Sequence, residues 1–392
     1  MKKVLTGLEN LLADPRKWLF GQRIGLLCNP ASVDGKLRHA KDLLSSVYGK
    51  RLSALFSPQH GLHAEKQDNM IESDNFIDTE LEIPVFSLYG KTRIPTDSML
   101  SGIDVMIIDI QDVGSRVYTF FSTVSYCMEA AARLGKKIVV LDRPNPIGGI
   151  AVEGNRLAPE FKSFVGRFLM PMRHGLTIGE FASYINTSYT INCDLCVIPM
   201  KGWQRKMYHQ DTGLFWVPPS PNLPTPTSAM VYPGQVLLEG TNISEGRGTT
   251  QPFEIFGAPF IDNARILELL GDKRIAGAVL RPVVFEPVAG KWANTPCHGF
   301  QIHVTDPAAF IPYRTSIQIL AAIYLTSDGR FEWKSPPYEY EWEKPPIDLI
   351  SGDPLIRELI EANRIPDEED FFWQEDENRF AEETRPFLLY RK

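Results

Sequence analysis

The first 200 residues alternate short apolar runs with segments of helical periodicity. Two helices are well delimited: one over VYTFFSTVSYCMEAAARL that ends at Gly135, and one that a Thr177–Glu180 capping box opens. Strands buried on both faces are almost continuously apolar and end in turn residues. Six runs fit that description: 23–30, 52–58, 83–90, 104–112, 137–146 and 193–200. The alternation predicts an α/β fold built on a Rossmann-like, doubly wound, mostly parallel sheet.

The second half is predicted to be a smaller α/β domain. Residues 201–235 are so rich in proline that we expect an extended connector without regular structure. After it, the patterns predict a helix (NARILELLGD), two strands (AVLRPVVFEPV and GFQIHVTD) and three helices (YRTSIQILAAIYLTS, PLIRELIEAN and the acidic tail). We place an N-terminal domain at 1–235, connector included, and a C-terminal domain at 236–392, with a cleft between them.

Composition excludes several classes of function. A net charge of −7 over 392 residues leaves no basic surface for nucleic acid or an anionic membrane. No run of 18 apolar residues exists, and VLTGLENLLAD near the N-terminus reads as an amphipathic helix. We expect a cytoplasmic protein, or an exported one if a signal peptide has been removed. Five cysteines, an odd number, argue against a disulfide framework.

Polar residues follow the predicted strands at their carboxyl ends, where open α/β sheets bind ligands. Asn29 follows the first of these strands, Gln59 and His60 the second, Asp109 and Asp112 the fourth, and Asp142 and Arg143 the fifth. The sequence therefore predicts a functional site at this edge. No GxGxxG or Walker motif is present, so no nucleotide cofactor is expected.

Four loops concentrate residues that can carry chemistry. They hold the following candidates: Gln59, His60 and Glu65; Asp109, Asp112, Arg116 and Tyr118; Asp142, Arg143 and Asn145; and Glu239, Glu245, Arg247 and Glu254. The last loop, LEGTNISEGRGTTQPFE, combines carboxylates and an arginine with glycines that let a ligand approach the backbone. His60 and His63 form an HxxH, but on a loop and without an HExxH helix, so no metal site is predicted.

Together these motifs resemble a known family. PxHG, SLYG, DIQDVGSRVYT, VLDRPNPIGG, RHGLTIGE, PSPN, VYPG and EGTNISEGRGTTQPFE occur in order from about residue 20 to the C-terminus. They are similar to those of the bacterial DUF1343 family, the NamZ-type exo-β-N-acetylmuramidases of glycoside hydrolase family GH171. The resemblance implies a Rossmann-like domain, a smaller C-terminal domain, and release of N-acetylmuramic acid from the non-reducing ends of peptidoglycan fragments.

One residue departs from the family pattern. Family members usually read Pro-Glu-His-Gly where this chain has Pro58-Gln59-His60-Gly61, and that glutamate is the family's favoured acid. Glycoside hydrolysis usually requires a carboxylic acid and a second carboxylate, and an amide cannot replace the acid. Three explanations stay open: Glu65 has taken the role, the glutamine was introduced deliberately, or this member has lost or changed its hydrolysis.

The resulting hypothesis is a glycoside hydrolase that binds an amino sugar carrying a carboxylate. Catalytic candidates are Gln59, His60, Glu65, Glu239 and Glu245. Substrate-binding candidates are Asp109, Asp112, Arg116, Tyr118, Asp142, Arg143, Asn145, Arg247 and Glu254, with an arginine receiving the lactyl carboxylate. The alternatives are a sugar-binding protein with lost or altered hydrolysis and, third, a metal-dependent hydrolase.

Overall fold

Seven strands form the larger sheet of the computed structural model, which describes residues 3–271 and 275–390. They are β1 (Ile24–Cys28), β2 (Leu52–Ser57), β3 (Phe76–Asp78), β4 (Ile83–Ser87), β5 (Val105–Asp109), β6 (Lys137–Leu141) and β7 (Asp194–Ile198). Their order is β3-β4-β2-β1-β5-β6-β7, and the β3–β4 pair is antiparallel in an otherwise parallel sheet. All six predicted strands are confirmed. The strand that sequence analysis missed is β3, which lies at the edge and exposes two of its three residues.

Seven helices accompany this part of the chain. They are α1 (Gly7–Ala13), α2 (Pro15–Trp18), α3 (Ala40–Tyr48), α4 (Asp97–Leu100), α5 (Phe120–Leu134), α6 (Ile178–Ser188) and α7 (Pro226–Gln235). The predicted ends are confirmed for α5, where Gly135 adopts a left-handed conformation with φ of 62°, and for α6, where Thr177 and Glu180 form the capping box. Because β5 leads directly into the loop before α5, that loop lies at the carboxyl edge of the sheet.

A three-stranded antiparallel sheet organises the second half. Its strands are β8 (Ile255–Ala258), β9 (Ala278–Phe285) and β10 (Cys297–Val304), in the order β8-β10-β9. Helices α8 (Asn263–Leu270), α9 (Pro312–Thr326), α10 (Pro346–Ser351), α11 (Leu355–Glu361) and α12 (Gln374–Thr384) complete it. Strands β9 and β10 and helices α8, α9, α11 and α12 were predicted, whereas the glycine-containing β8 and the proline-flanked α10 were not.

The prediction of an irregular connector is wrong for its last ten residues. Thr225 caps α7 and Pro226 occupies its first turn, where proline's missing N–H costs nothing. Pro233 lies inside the same helix, yet α7 is buried along its length from Ser228 to Gln235. Gly234 lets α9 approach, since a Cβ there would lie 2.0 Å from the carbonyl oxygen of Pro312. Burial against α9 therefore outweighs the unfavourable propensity of the segment.

The two halves share one continuous apolar core, which extends from Phe121 of α5 to Ile317 of α9. No helix within residues 3–271 and 275–390 is long and apolar enough to cross a membrane.

Polar contacts also cross between the halves through a short segment, residues 153–156. Glu153 accepts a hydrogen bond of 2.9 Å from the backbone N–H of Arg314. Asn155 accepts one of 2.9 Å from the Tyr313 hydroxyl and donates one of 2.9 Å to the carbonyl of Ser351. Burial raises the pKa of Glu153 to about 7, and its second oxygen is buried among groups to which it makes no hydrogen bond. The seam between the halves thus contains a carboxyl group that resists ionisation.

We predict that Glu153→Gln flattens the pH dependence of stability. The unfolded chain ionises Glu153 near pH 4.5 and the folded chain near pH 7, so the natural protein loses stability as pH rises through that window. The glutamine still accepts the Arg314 bond but cannot ionise, so the variant should gain at most about 3 kcal/mol relative to the natural chain at pH 8. Urea unfolding at pH 5 and pH 8 measures this. Glu160→Gln, at an exposed position, is the control, and equal pH slopes for all three proteins contradict the prediction.

Candidate active site

A cavity lies where the loops after β2 and β5 meet the second half of the chain. Its lining combines amide, hydroxyl, aromatic and charged side chains. These are Gln59, His60, Asn69, Val117, Tyr118, Thr119, Phe120, Val165, Ser220, Asn222, Leu223, Tyr232, Arg247, Phe253, Tyr338 and Glu339. Such a mixture of aromatic walls and a few convergent polar groups is typical of small-molecule sites.

Gln59 lies in this cavity and faces a carboxyl group. Its Nε2 donates a hydrogen bond of 3.0 Å to Oε1 of Glu339, and its Oε1 accepts one of 2.5 Å from the Thr119 hydroxyl. The other oxygen of Glu339 accepts a 2.7 Å bond from the Tyr89 hydroxyl. Gln59 and Glu339 are both buried, and burial raises the pKa of Glu339. The amide therefore holds a carboxyl group that favours its protonated form.

A second carboxylate, Glu239, lies directly behind three residues of the lining. Its Oε1 pairs with Nη2 of Arg247 at 2.7 Å. Its Oε2 accepts hydrogen bonds from the Tyr338 hydroxyl at 2.6 Å and from Nδ2 of Asn69 at 2.9 Å. Asn69 also lies 3.4 Å from Nε2 of Gln59. A chain of hydrogen bonds thus links Glu239 to Glu339 through Asn69 and Gln59.

Glu245 completes a cluster of alternating charge. It contacts Nε of Arg247 at 3.1 Å and Nζ of Lys291 at 2.8 Å. Burial opposes ionisation of Glu245, but the charges of Lys291 and Arg247 outweigh it and lower its pKa. Glu239, Glu245, Arg247 and Lys291 together carry two negative and two positive charges, so the cluster can be buried without a net charge.

His60 is neutral at physiological pH, since burial lowers its pKa to about 4. Its Nδ1 lies 2.7 Å from the carbonyl oxygen of Lys66, which can only accept, so Nδ1 carries the proton and Nε2 the lone pair. Three residues of the lining have positive φ without being glycine: His60 (74°), Phe253 (64°) and Glu339 (45°). Backbone strain of this kind is concentrated at functional sites.

The aspartates and arginine at the ends of β5 and β6 are satisfied within the protein. Asp109 and Arg143 form a buried, two-pronged ion pair with contacts of 2.6 and 2.9 Å. Asp142 accepts bonds of 2.8 Å from the Thr177 hydroxyl and from the backbone N–H of Gly179 at the start of α6. Of these residues, Arg143 lines a separate cavity together with residues 214–217. Asp109 and Asp142 are absent from the lining of the Gln59 cavity.

The remaining candidates are distributed as follows. Asp112 accepts from the backbone N–H of Gly114, and Asn145 bonds the backbone of Leu176 and Ile147. Glu254 accepts from the Thr225 hydroxyl at the start of α7. Glu65 is exposed, beside Gly61, and does not line the cavity. Tyr118 lines the cavity, with its ring 5.9 Å from that of Tyr232.

Arg116 ties the two halves together. It is buried, and its guanidinium donates to four backbone carbonyls: those of Asn155, Met170, Ile350 and Ser351, at 2.6–3.2 Å. Two of these belong to the C-terminal end of α10, where a positive charge is favourable. This geometry leaves Arg247 as the arginine that lines the cavity.

His60 and His63 do not share a metal-binding geometry. His60 is half-buried in the cavity wall, whereas His63 is exposed and its ring lies 6.4 Å from that of Phe76. Within the described ranges, no three His, Cys, Asp or Glu side chains are grouped so that they could hold a metal ion.

Sequence reasoning missed several residues that the structure brings to this site: Asn69, Tyr89, Tyr232, Lys291, Tyr338 and Glu339. The segment PPYEYEWEKPP, which contains Tyr338 and Glu339, carried the one usable signal. It packs aromatic and acidic residues between prolines, a composition that a plain connector does not need.

Comparison with known proteins identifies the family. The N-terminal family model of exo-β-N-acetylmuramidase NamZ matches residues 24–227, and its C-terminal model matches residues 230–390. The peptidoglycan β-N-acetylmuramidase NamZ of Bacillus subtilis (strain 168) is 42% identical over 388 residues, which cover 99% of this chain and 92% of that protein. The chain belongs to the NamZ family.

Two solved structures of DUF1343 proteins from Bacteroides fragilis NCTC 9343 are similar along the whole chain. BF0371 superposes with a TM-score of 0.88 at 35% identity, covering 99% of both chains. BF0379 superposes with a TM-score of 0.77 at 29% identity, covering 100% of both. The α/β architecture, with its mostly parallel sheet and smaller second sheet, is therefore that of the NamZ family.

We predict that Arg116→Lys destabilises the fold by about 2–4 kcal/mol, because an ammonium cannot reach four carbonyls that a guanidinium fork satisfies. Urea unfolding measures the loss. Arg23→Lys is the matched control: Arg23 pairs with Asp104 at an exposed position, so the change there should stay within about 0.5 kcal/mol. Similar values for the two variants contradict the structural role of Arg116.

Proposed function

We propose that this protein is an exo-acting glycoside hydrolase that releases N-acetylmuramic acid from the non-reducing ends of peptidoglycan fragments. The observation that carries the proposal is the full-length match to the peptidoglycan β-N-acetylmuramidase NamZ, at 42% identity. The cavity supports it, since it combines a carboxyl group, an arginine and the rings of Tyr118, Tyr232 and Tyr338, which suit a charged sugar.

In this proposal Arg247 receives the lactyl carboxylate that distinguishes N-acetylmuramic acid from N-acetylglucosamine. Three of its N–H groups are engaged, by Glu239, Glu245 and the carbonyl of Gln67. A guanidinium has five, so it can still donate to a ligand in the cavity that it lines. Arginine pairs with a carboxylate in a planar fork, which makes the recognition selective.

Glu239 is the proposed second carboxylate of the reaction. Arg247, Tyr338 and Asn69 contact it and all three line the cavity, so one layer of side chains separates its oxygens from the cavity. Glu245, which is held by Lys291 and Arg247, supports the position of Arg247. The site requires a second carboxylate because water must be activated, or C1 attacked, as the glycosidic bond breaks.

The first test is release of chromophore from a 4-nitrophenyl β-N-acetylmuraminide by the unaltered chain. We expect turnover of this substrate, and much slower turnover of the N-acetylglucosaminide, which lacks the lactyl carboxylate. Absence of turnover with both substrates, under conditions in which the B. subtilis relative is active, overturns the proposed activity.

A non-hydrolytic sugar-binding role is the second candidate, and Gln59 favours it because the resemblance to the family implies a glutamate where this chain has glutamine. Calorimetry with N-acetylmuramic acid distinguishes the two: a binder without turnover shows saturable binding and releases no chromophore. A hydrolase shows both.

We predict that Arg247→Lys weakens binding of N-acetylmuramic acid about 10–100-fold, since the planar fork to the lactyl carboxylate is lost. N-acetylglucosamine has no such carboxylate and its dissociation constant should change several-fold less. Competition against a fluorescent sugar ligand measures both constants. An equal loss for the two sugars means that Arg247 only supports the site and does not recognise the lactyl group.

A further inference from the structure

We propose that Glu339 is the general acid of this protein, the residue that protonates the leaving glycosidic oxygen, and that Gln59 positions it. The inference rests on the proposed hydrolase function and names a catalytic residue for it. Among the described side chains that line the cavity, Glu339 is the one carboxyl group.

The surroundings of Glu339 favour a protonated acid. It is 5% exposed, and no cationic side chain in residues 3–271 and 275–390 forms an ion pair with it. Tyr89 donates to its Oε2 at 2.7 Å and Gln59 to its Oε1 at 3.0 Å, so both oxygens are held in place. These two bonds favour the carboxylate, but burial outweighs them and raises the pKa of Glu339. A left-handed backbone at Glu339, with φ of 45°, directs this side chain from the loop before α10 into the cavity.

Glu239 has the opposite surroundings. Arg247 contacts it at 2.7 Å, and Lys291 adds a second positive charge to the same cluster through Glu245. In this proposal the two carboxyl groups divide the acid and base roles. Glu239 pairs with an arginine and stays ionised, whereas Glu339 is buried without an ion-pair partner and acts as the acid. Hydrogen bonds through Gln59 and Asn69 connect the two.

The proton balance of the step is simple. Glu339 gives its proton to the leaving oxygen as the bond from that oxygen to C1 breaks. Water supplies a hydroxyl to C1, and the remaining proton of that water replaces the proton that Glu339 has given up. The Gln59 amide neither gives nor takes a proton, but its N–H holds the carboxyl of Glu339, and Thr119 fixes the amide in turn.

The groups that face Glu339 determine how its protonation varies with pH. Burial and the charge of Glu239 raise the pKa of Glu339, whereas hydrogen bonds from Tyr89 and Gln59 and the charge of Arg93 lower it. Arg93 stacks on the rings of Tyr340 and Tyr89, at 3.9 and 5.0 Å. Activity should therefore fall as pH rises and Glu339 loses its proton, and Arg93 stabilises the carboxylate that the proton transfer leaves.

The experiment compares two aryl β-N-acetylmuraminides with the unaltered chain and Glu339→Gln. A 2,4-dinitrophenolate departs without protonation, whereas a 4-methylumbelliferyl group needs an acid. We expect Glu339→Gln to lose about 10²–10⁴-fold in kcat/KM on the methylumbelliferyl substrate and less than about 10-fold on the dinitrophenyl one. The high-pH limb of kcat/KM should vanish in the variant.

Two further variants distinguish a loss of the acid from a loss of correct folding. Gln59→Glu combined with Glu339→Gln exchanges the facing amide and carboxyl groups, and should recover at least 10-fold over Glu339→Gln alone on the methylumbelliferyl substrate. Glu343→Gln, at an exposed glutamate four residues away, is the control and should behave as the unaltered chain.

The outcomes separate the two proposals. If the unaltered chain is active and Glu339→Gln keeps its activity on both substrates, the acid lies elsewhere and only this inference fails. An equal loss on both substrates, without recovery in the double variant, means that Glu339 is structural, which also overturns the inference. If the unaltered chain cleaves neither substrate, the proposed function fails and the inference fails with it.

Discussion

The guanidinium of Arg247 allows this protein to bury the carboxylates of Glu239 and Glu245 close together. Arg247 pairs with Glu239 and with Glu245, and Lys291 adds a second positive charge at Glu245. Without these partners, two buried carboxylates would repel each other and lose their ionised form. Because the pairs hold, Tyr338 from the loop before α10 and Asn69 from the loop after β2 can both bond Glu239. The cavity is assembled around that ion-pair cluster.

The larger sheet was predictable because strands buried on both faces read as nearly continuous apolar runs, and β1 and β5 are buried at all five positions. Strand β3 escaped prediction because an edge strand of three residues has no such pattern. Helix α7 escaped because its prolines dominate the local signal. Its formation depends on α9, which packs against it where Gly234 removes a side chain, and no local pattern contains that contact.

The candidate site was predicted only in part, for a related reason. Polar residues do gather at the carboxyl edge of the sheet, but a linear pattern does not show whether their partner is a ligand or a neighbour. Asp109 and Arg143 satisfy each other, and Arg116 satisfies four carbonyls. Gln59 and Glu339 are 280 positions apart in the chain. Their contact exists only after the second half folds onto the first, so the residue that faces Gln59 could not be read from the motif that contains it.

The hydrogen bond between Gln59 and Glu339 changes what the glutamine at position 59 indicates about activity. An isolated replacement of glutamate by glutamine removes a proton donor and indicates lost activity. Here the amide donates to a buried carboxyl for which the described side chains provide no ion-pair partner, while Glu239 behind it pairs with Arg247. An amide is better suited than a carboxylate to this position, because a second negative charge 3.0 Å from Glu339 would have to share its proton. With glutamine at position 59, the proton can belong to Glu339 alone. In the proposed mechanism, Glu339 in the cavity and Glu239 directly behind its lining then supply the two carboxyl groups that glycoside hydrolysis usually needs.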